Sequence, residues 1–197
     1  MHQCKIYGLV ILIAGTLSGY AQKGMAVEAT NRVYMQKADT IYEFYAIKPP
    51  KKLRGKPLEI EKEYYWFKSD NILISKGGFD GRILHGSYTV FYPNQNLNEK
   101  GNFYHGMKDG VWQTWYPNGT IKSTQTWSKG QKEGNYTFFD MQGKKVKQYT
   151  YKRDLLSGYQ LEYQNDTLAS KILYKEGKII PESPAIPKNK SQDSTNN

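Results

Sequence analysis

A spacing of 24 residues runs through the middle of this 197-residue chain and constrains its folding more than any other feature. Gly86, Gly110, Gly134 and Gly158 stand 24 residues apart. Two positions after them come Tyr88, Trp112, Tyr136 and, breaking the column, Gln160. Five positions after them come Phe91, Trp115, Phe139 and Tyr163, a column that reaches back to Phe67. A third aromatic column runs Phe79, Phe103, Trp127, Tyr151. A repeat this short cannot bury an apolar face by itself, so successive units must stack on one another.

Each unit reads as a β-hairpin. Gly110 to Tyr116 is rich in β-forming residues, Pro117-Asn118-Gly119 is a turn, and Thr120 to Trp127 is the return strand. Asn118-Gly119 predicts a two-residue type I′ loop, and Lys129 to Gly134 and Gly106 to Gly110 read as turns framed by glycine. With that loop, Trp112, Tyr116, Ile121 and Trp127 share one face, and Val111 and Trp115 the other. Both faces then carry aromatics, so at least one must be covered, curved onto itself or offered to a partner. The fold class expected is all-β, an elongated antiparallel meander of successive β-hairpins over residues 40–180. Thr40 to Ile47 reads as its first strand or as a cover, and Pro181 ends the last unit. Residues 22–39 read as a linker with a short helix around Val27 to Lys37.

The pattern Gly-x-Trp-x-x-Trp-Tyr-x-Asn-Gly at Gly110 to Gly119, with looser copies at Gly86 to Asn94 and Gly134 to Gly143, resembles the MORN repeat in its bacterial second variant. The resemblance covers roughly residues 62–180 and implies a single-layer antiparallel sheet. It also implies scaffolding, or contacts with membranes or proteins, and an antitoxin-like label for bacterial members. It brings no shared catalytic residues. Lys145, Asp154 and Gln160 depart from the pattern and mark a degenerate, capping fourth unit.

Composition agrees with a thin sheet. Leu, Ile, Val and Phe make up only 40 of 197 residues, too few for a thick aliphatic core, whereas Tyr 17, Phe 7 and Trp 4 give an aromatic surplus that disordered chains lack. Of those 28 aromatics, 22 lie between Tyr64 and Tyr174.

The chain opens with Lys5, an apolar run from Ile6 to Leu17, and Gly19-Tyr20-Ala21, the layout of a signal peptide cleaved near Ala21. The run is shorter than the ~20 residues a spanning helix requires. The expected location is periplasmic or secreted. Cys4 is the only cysteine and lies before the cleavage point, so the mature chain has no disulfide and no thiolate metal site. Residues 181–197, with Pro181, Pro184 and Pro187 before a polar run, read as a disordered tail.

Few residues suggest chemistry. His85 and His105 hold non-equivalent repeat positions beside turn glycines, and no metal or cofactor is expected. Glu59, Glu61 and Glu63 alternate as on one face of an edge strand, a solvated face more than a catalytic pair. No nucleophile elbow, phosphate loop or dinucleotide fingerprint is present.

Charge is more telling. Lys+Arg 28 against Asp+Glu 18 gives +10. One basic stretch holds Lys48, Lys51, Lys52, Arg54 and Lys56; a second holds Lys144, Lys145, Lys147, Lys152 and Arg153. Setting those ten aside leaves the chain balanced, so the excess sits in two short segments. They are candidate contacts for an anionic envelope component, a lipid headgroup or an acidic glycan, or for an acidic protein. Nucleic acid is not an expected partner of an exported chain.

The function expected is therefore a non-enzymatic, exported module that binds a protein or an envelope surface. The alternatives are a glycan-binding module stacking sugars on Trp66, Trp112, Trp115 or Trp127, and an antitoxin-like component if the chain stays in the cytoplasm.

Overall fold

Val33 and Met35 alternate with polar neighbours and Tyr34. In the computed structural model, which describes residues 31–53 and 58–181, Arg32–Lys37 is strand β1. The linker and helix expected here are thus overturned for residues 32–37: a period of two sends Val33 and Met35 to the core and Tyr34 to solvent. The expectations for residues 1–21, for Arg54 and Lys56, and for 182–197 lie outside the described residues.

The remaining strands are β2 Thr40–Ile47, β3 Glu63–Lys68, β4 Asn71–Lys76, β5 Arg82–Phe91, β6 Leu97–Tyr104, β7 Met107–Trp115 and β8 Ile121–Ser128. They continue with β9 Gln131–Phe139, β10 Lys145–Lys152, β11 Leu155–Leu156, β12 Gly158–Gln164, β13 Thr167–Lys175 and β14 Lys178–Ile180. A 3-10 turn, Lys51–Leu53, follows β2. Among the described residues no helix is long and apolar enough to cross a membrane. The fold is all-β, an open antiparallel sheet in the order β1-β2-β5-β6-β7-β8-β9-β10-β12-β13-β14. From β5 onward it is the expected meander.

Turn chemistry differs between the two edges of the sheet. At one edge two-residue loops with both residues at positive φ join the strands: His105-Gly106 at 50° and 84°, Lys129-Gly130 at 47° and 83°, and Arg153-Asp154 at 49° and 67°. At the other edge Asn118-Gly119 is not the two-residue loop expected. The Tyr116 N–H donates to Thr120 O at 2.8 Å and the Gly119 N–H to Tyr116 O at 2.9 Å, giving a three-residue loop with only Gly119 left-handed. Proline fits this loop without being its sole cause, because the third unit has Met141 in that position and closes the same way, with the Asp140 N–H donating to Lys144 O at 2.9 Å and the Gly143 N–H to Asp140 O at 3.0 Å. A two-residue loop needs an N–H on residue 117 for its closing pair, and Pro117 has none. In the fourth unit Asn165-Asp166 does form a two-residue loop at 49° and 62°. The longer loop shifts the register, so Trp115 rather than Tyr116 stands opposite Ile121.

The repeat glycines are not turn ends either. Gly110 and Gly134 lie inside β7 and β9 at φ 75° and 68°, where one residue between ladder pairs on the neighbouring strand faces three on the glycine's strand. They are bulges in β7 and β9, in a conformation that favours residues without Cβ. The two-residue loops then hydrogen-bond backwards along that edge: Gly106 N–H to Leu84 O at 2.7 Å and Gly130 N–H to Lys108 O at 2.8 Å. On the opposite edge the Tyr92 hydroxyl donates to Trp115 O and the Tyr116 hydroxyl to Phe139 O, both at 2.9 Å.

One face, called the inner face below, carries Phe44, Leu84, Tyr88, Val90, Phe103 and Trp112, the buried core. The cover is not Thr40 to Ile47. That segment is β2, which pairs with β5 along Ile41↔Phe91 to Ile47↔Ile83 and so takes the position the preceding repeat hairpin would hold in an uninterrupted meander. The displaced β3–β4 hairpin pairs with β5 only at Trp66↔Ile83 and Phe67↔Arg82, and lies over the inner face. Phe67 stands edge-on to Phe44 at 5.3 Å between centroids, and Tyr65 meets Phe103 at 4.9 Å. Glu59 and Glu61 precede β3 in a turn, so only Glu63 of the expected alternating strand is in one; Glu59 bonds Lys62 at 2.9 Å instead.

Candidate functional site

The covering hairpin ends over β7. Glu63 and Tyr65 at its end border Trp127, and past that border the aromatic columns continue as half-buried Trp127, Tyr136 and Tyr151. Ladder register sets them side by side: Gly110↔Trp127, Gln125↔Tyr136, Tyr149↔Tyr136 and Tyr151↔Gly134. Together with Trp112 they wall an open groove of about 310 Å³ over a floor of Thr114, Ser123 and Gln125. The Thr114 and Ser123 hydroxyls are bonded to each other at 2.7 Å.

Two lysines one repeat apart, Lys108 and Lys132, project into this groove. Each stands across the first pair after a two-residue loop from an aromatic, as Phe103↔Lys108 and Trp127↔Lys132. The Lys108 ammonium sits 3.8 Å from the Trp112 ring centroid, 5.5 Å from Trp127 and 5.6 Å from Tyr65, and is bonded to Glu99 Oε1 at 3.2 Å. Its charge is met by a carboxylate and three ring faces. Lys132 lies 5.1 Å from Tyr151 and 6.0 Å from Trp127, and forms no ion pair among the described residues. The Lys132 ammonium thus stands between two aromatic rings without an ion pair, while Glu99, the carboxylate lining the same groove, is taken up by Lys108.

Burial pushes the Tyr65 hydroxyl up to about 12, with Glu63 and Glu99 adding to it, and raises Tyr151 through burial and then Tyr149 and Tyr136. These hydroxyls are neutral donors near neutral pH. The consequence for stability is signed. Between pH 10 and 12 the unfolded chain has lost the proton that folded Tyr65 keeps, so stability falls as pH rises through that window. Denaturant titrations at pH 9 and 12 are expected to show a loss, of which Tyr65→Phe removes up to about 2 kcal/mol after solvent screening.

The groove brings together Trp112 and Trp127 of the four tryptophans expected to bind. Trp66 is elsewhere, its Nε1 donating to Ser75 Oγ at 2.9 Å, and Trp115 pairs with Ile121 on the opposite face. Trp112 itself is 4% exposed, which makes it a wall and not a platform. Lys48 and Lys51 are exposed beside the 3-10 turn, and only the backbone of Lys52 is described there.

The second basic stretch is not one surface. It is β10 and its flanking turns, and a strand of that length separates its ends by about 23 Å. Lys144 pairs with Asp166 at 3.2 Å and Lys145 lies 5.4 Å from the Tyr163 ring at one edge, while Lys152 and Arg153 are at the other. Lys147 is bonded to Glu162 at 3.0 Å, which raises the lysine and lowers the glutamate. Lys108 and Lys132 belong to neither basic stretch because they are isolated in sequence. The signal for them is their separation, one repeat length.

No protein-family model and no curated protein matches this chain. Among the described residues no group of three His, Cys, Asp or Glu side chains is placed to hold a metal. His85 and His105, unrelated in the repeat, do meet: their rings stack at 5.0 Å and the His105 N–H donates to His85 Nδ1 at 3.2 Å.

Proposed function

We propose that this chain is a non-enzymatic, MORN-like repeat protein of the exported compartment, and that it binds an envelope component through the uncovered half of its inner face. The observation that carries this reading is the abrupt end of the β3–β4 cover, which leaves Trp127, Tyr136, Tyr151 and Lys132 half-buried in a groove that nothing in the described chain fills. The covering hairpin supplies the precedent: Tyr65 seats on Phe103 beside Lys108, the same pairing that recurs uncovered as Trp127 beside Lys132.

The test is retention of an envelope extract on the immobilised full chain. Trp127→Ala with Lys132→Glu is expected to lower retention about tenfold or more, the effect of losing ~1.4 kcal/mol. Neutralising Lys144, Lys145, Lys152 and Arg153 together is expected to leave it nearly unchanged, because those cations are paired or at separated edges. Retention that follows the basic stretch and ignores the groove would contradict the reading.

A further inference from the structure

The repeat offers an internal comparison within the groove. One unit places Glu99, Phe103, Lys108 and Trp112; the next places Ser123, Trp127, Lys132 and Tyr136 at the same positions, 24 residues on. The lysine and both aromatics persist, but the glutamate becomes a serine. In the first unit the carboxylate of Glu99 meets the Lys108 ammonium at 3.2 Å, beside the Trp112 ring at 3.8 Å. In the second the ammonium stands between Trp127 and Tyr151 with a short hydroxyl where that carboxylate would come from.

Resting on the binding role proposed above, we infer that this second unit is a subsite for a carboxylated sugar, a uronic acid unit of an acidic glycan. The ligand's carboxylate takes the place on Lys132 that Glu99 takes on Lys108. Its ring stacks on Trp127 or Tyr151, both half-buried beside Lys132. Its hydroxyls meet the Thr114 and Ser123 hydroxyls on the floor, each of which can both donate and accept.

The same geometry disfavours an acidic peptide. Peptides commonly dock by adding main-chain hydrogen bonds at a sheet edge. Here β8, β9 and β10 are interior strands whose ladders already use those groups, so the groove offers only side chains.

The experiment is titration of the full chain with oligogalacturonate, followed by tryptophan fluorescence and calorimetry. A neutral oligosaccharide of the same linkage, a poly-glutamate peptide and phosphatidylglycerol vesicles are the comparison arms. Oligogalacturonate is expected to bind in preference to all three, more weakly as salt is raised. Lys132→Met is expected to weaken it about tenfold or more. Ser123→Glu, which restores the glutamate of the preceding unit, is expected to abolish it with the melting temperature held. Should Ser123→Glu not fold, Lys132→Met carries the same decision.

Equal binding of the neutral sugar, the peptide or the vesicles would overturn the inference. So would no binding of oligogalacturonate while envelope retention still depends on Trp127 and Lys132, a result that leaves the binding role standing. Loss of that retention dependence as well would remove both.

Discussion

Replacing Gly101 with alanine is expected to lower the melting temperature by about 6–12 °C, the effect of ~3 kcal/mol in a chain of this size. A Cβ at Gly101 would lie 2.3 and 2.4 Å from the Trp112 indole carbons, closer than any real contact. The indole has nowhere to retreat. It is 4% exposed, its Nε1 donates to Asn102 O at 3.2 Å, Phe103 stands edge-on at 4.9 Å, and the Lys108 ammonium sits over its ring. Glycine at 101 is thus the floor on which the repeat's tryptophan lies flat. Gly78→Ala is the control, since a Cβ there meets nothing within 4 Å and its φ is ordinary; its cost is expected to stay within about 0.5 kcal/mol. Thermal denaturation followed by circular dichroism decides the matter, and equal melting of the two variants would contradict the packing described.

Phe44→Ala is expected to cost about 3–5 kcal/mol. The ring is fully buried between the sheet and its cover, edge-on to Phe67 at 5.3 Å and 6.5 Å from Tyr88. Its removal opens a cavity and unseats the β3–β4 hairpin, which β5 holds through only two ladder pairs. Tyr151→Ala, in the uncovered half, is expected to cost no more than about 1 kcal/mol, because little of its surroundings must close over the gap. The difference is the energetic counterpart of a division along the sheet: buried aromatics hold the N-terminal half together, while the same columns further on stay half-buried. Urea titrations showing equal losses for the two variants would remove that division.

The repeat makes the meander legible, because a period of 24 with aromatics at fixed offsets suits two strands and two turns and few other arrangements of the chain. Its finer geometry is hidden by single residues. Asn118-Gly119 carries a strong signal for a two-residue loop, yet a three-residue loop forms there and again at Gly143, where Met141 replaces the proline. Gly110 and Gly134 look like turn residues but sit at bulges inside strands, where positive φ is needed just as much. The cover is not readable from periodicity. Phe67 stands in register with the later aromatics, yet its hairpin is displaced because β2 pairs with β5, a long-range choice with no local mark.

The candidate site is half legible. Trp112 and Trp127 stand out by type and spacing. Lys108 and Lys132 do not, because neither lies in a run of lysines, and a run along one strand such as β10 spreads to opposite edges and alternate faces. A cation that matters to a sheet face has neighbours one repeat away, not one residue away.

The central claim, that one half of the inner face is covered and the other open, is tested most directly by iodide quenching of two single-tryptophan forms. One keeps Trp112 and the other Trp127, with the remaining three tryptophans changed to phenylalanine in each. Trp127 is expected to be quenched several-fold more strongly than Trp112, helped by the Lys132 charge beside it. Equal protection of both, or stronger quenching of Trp112, would contradict the account.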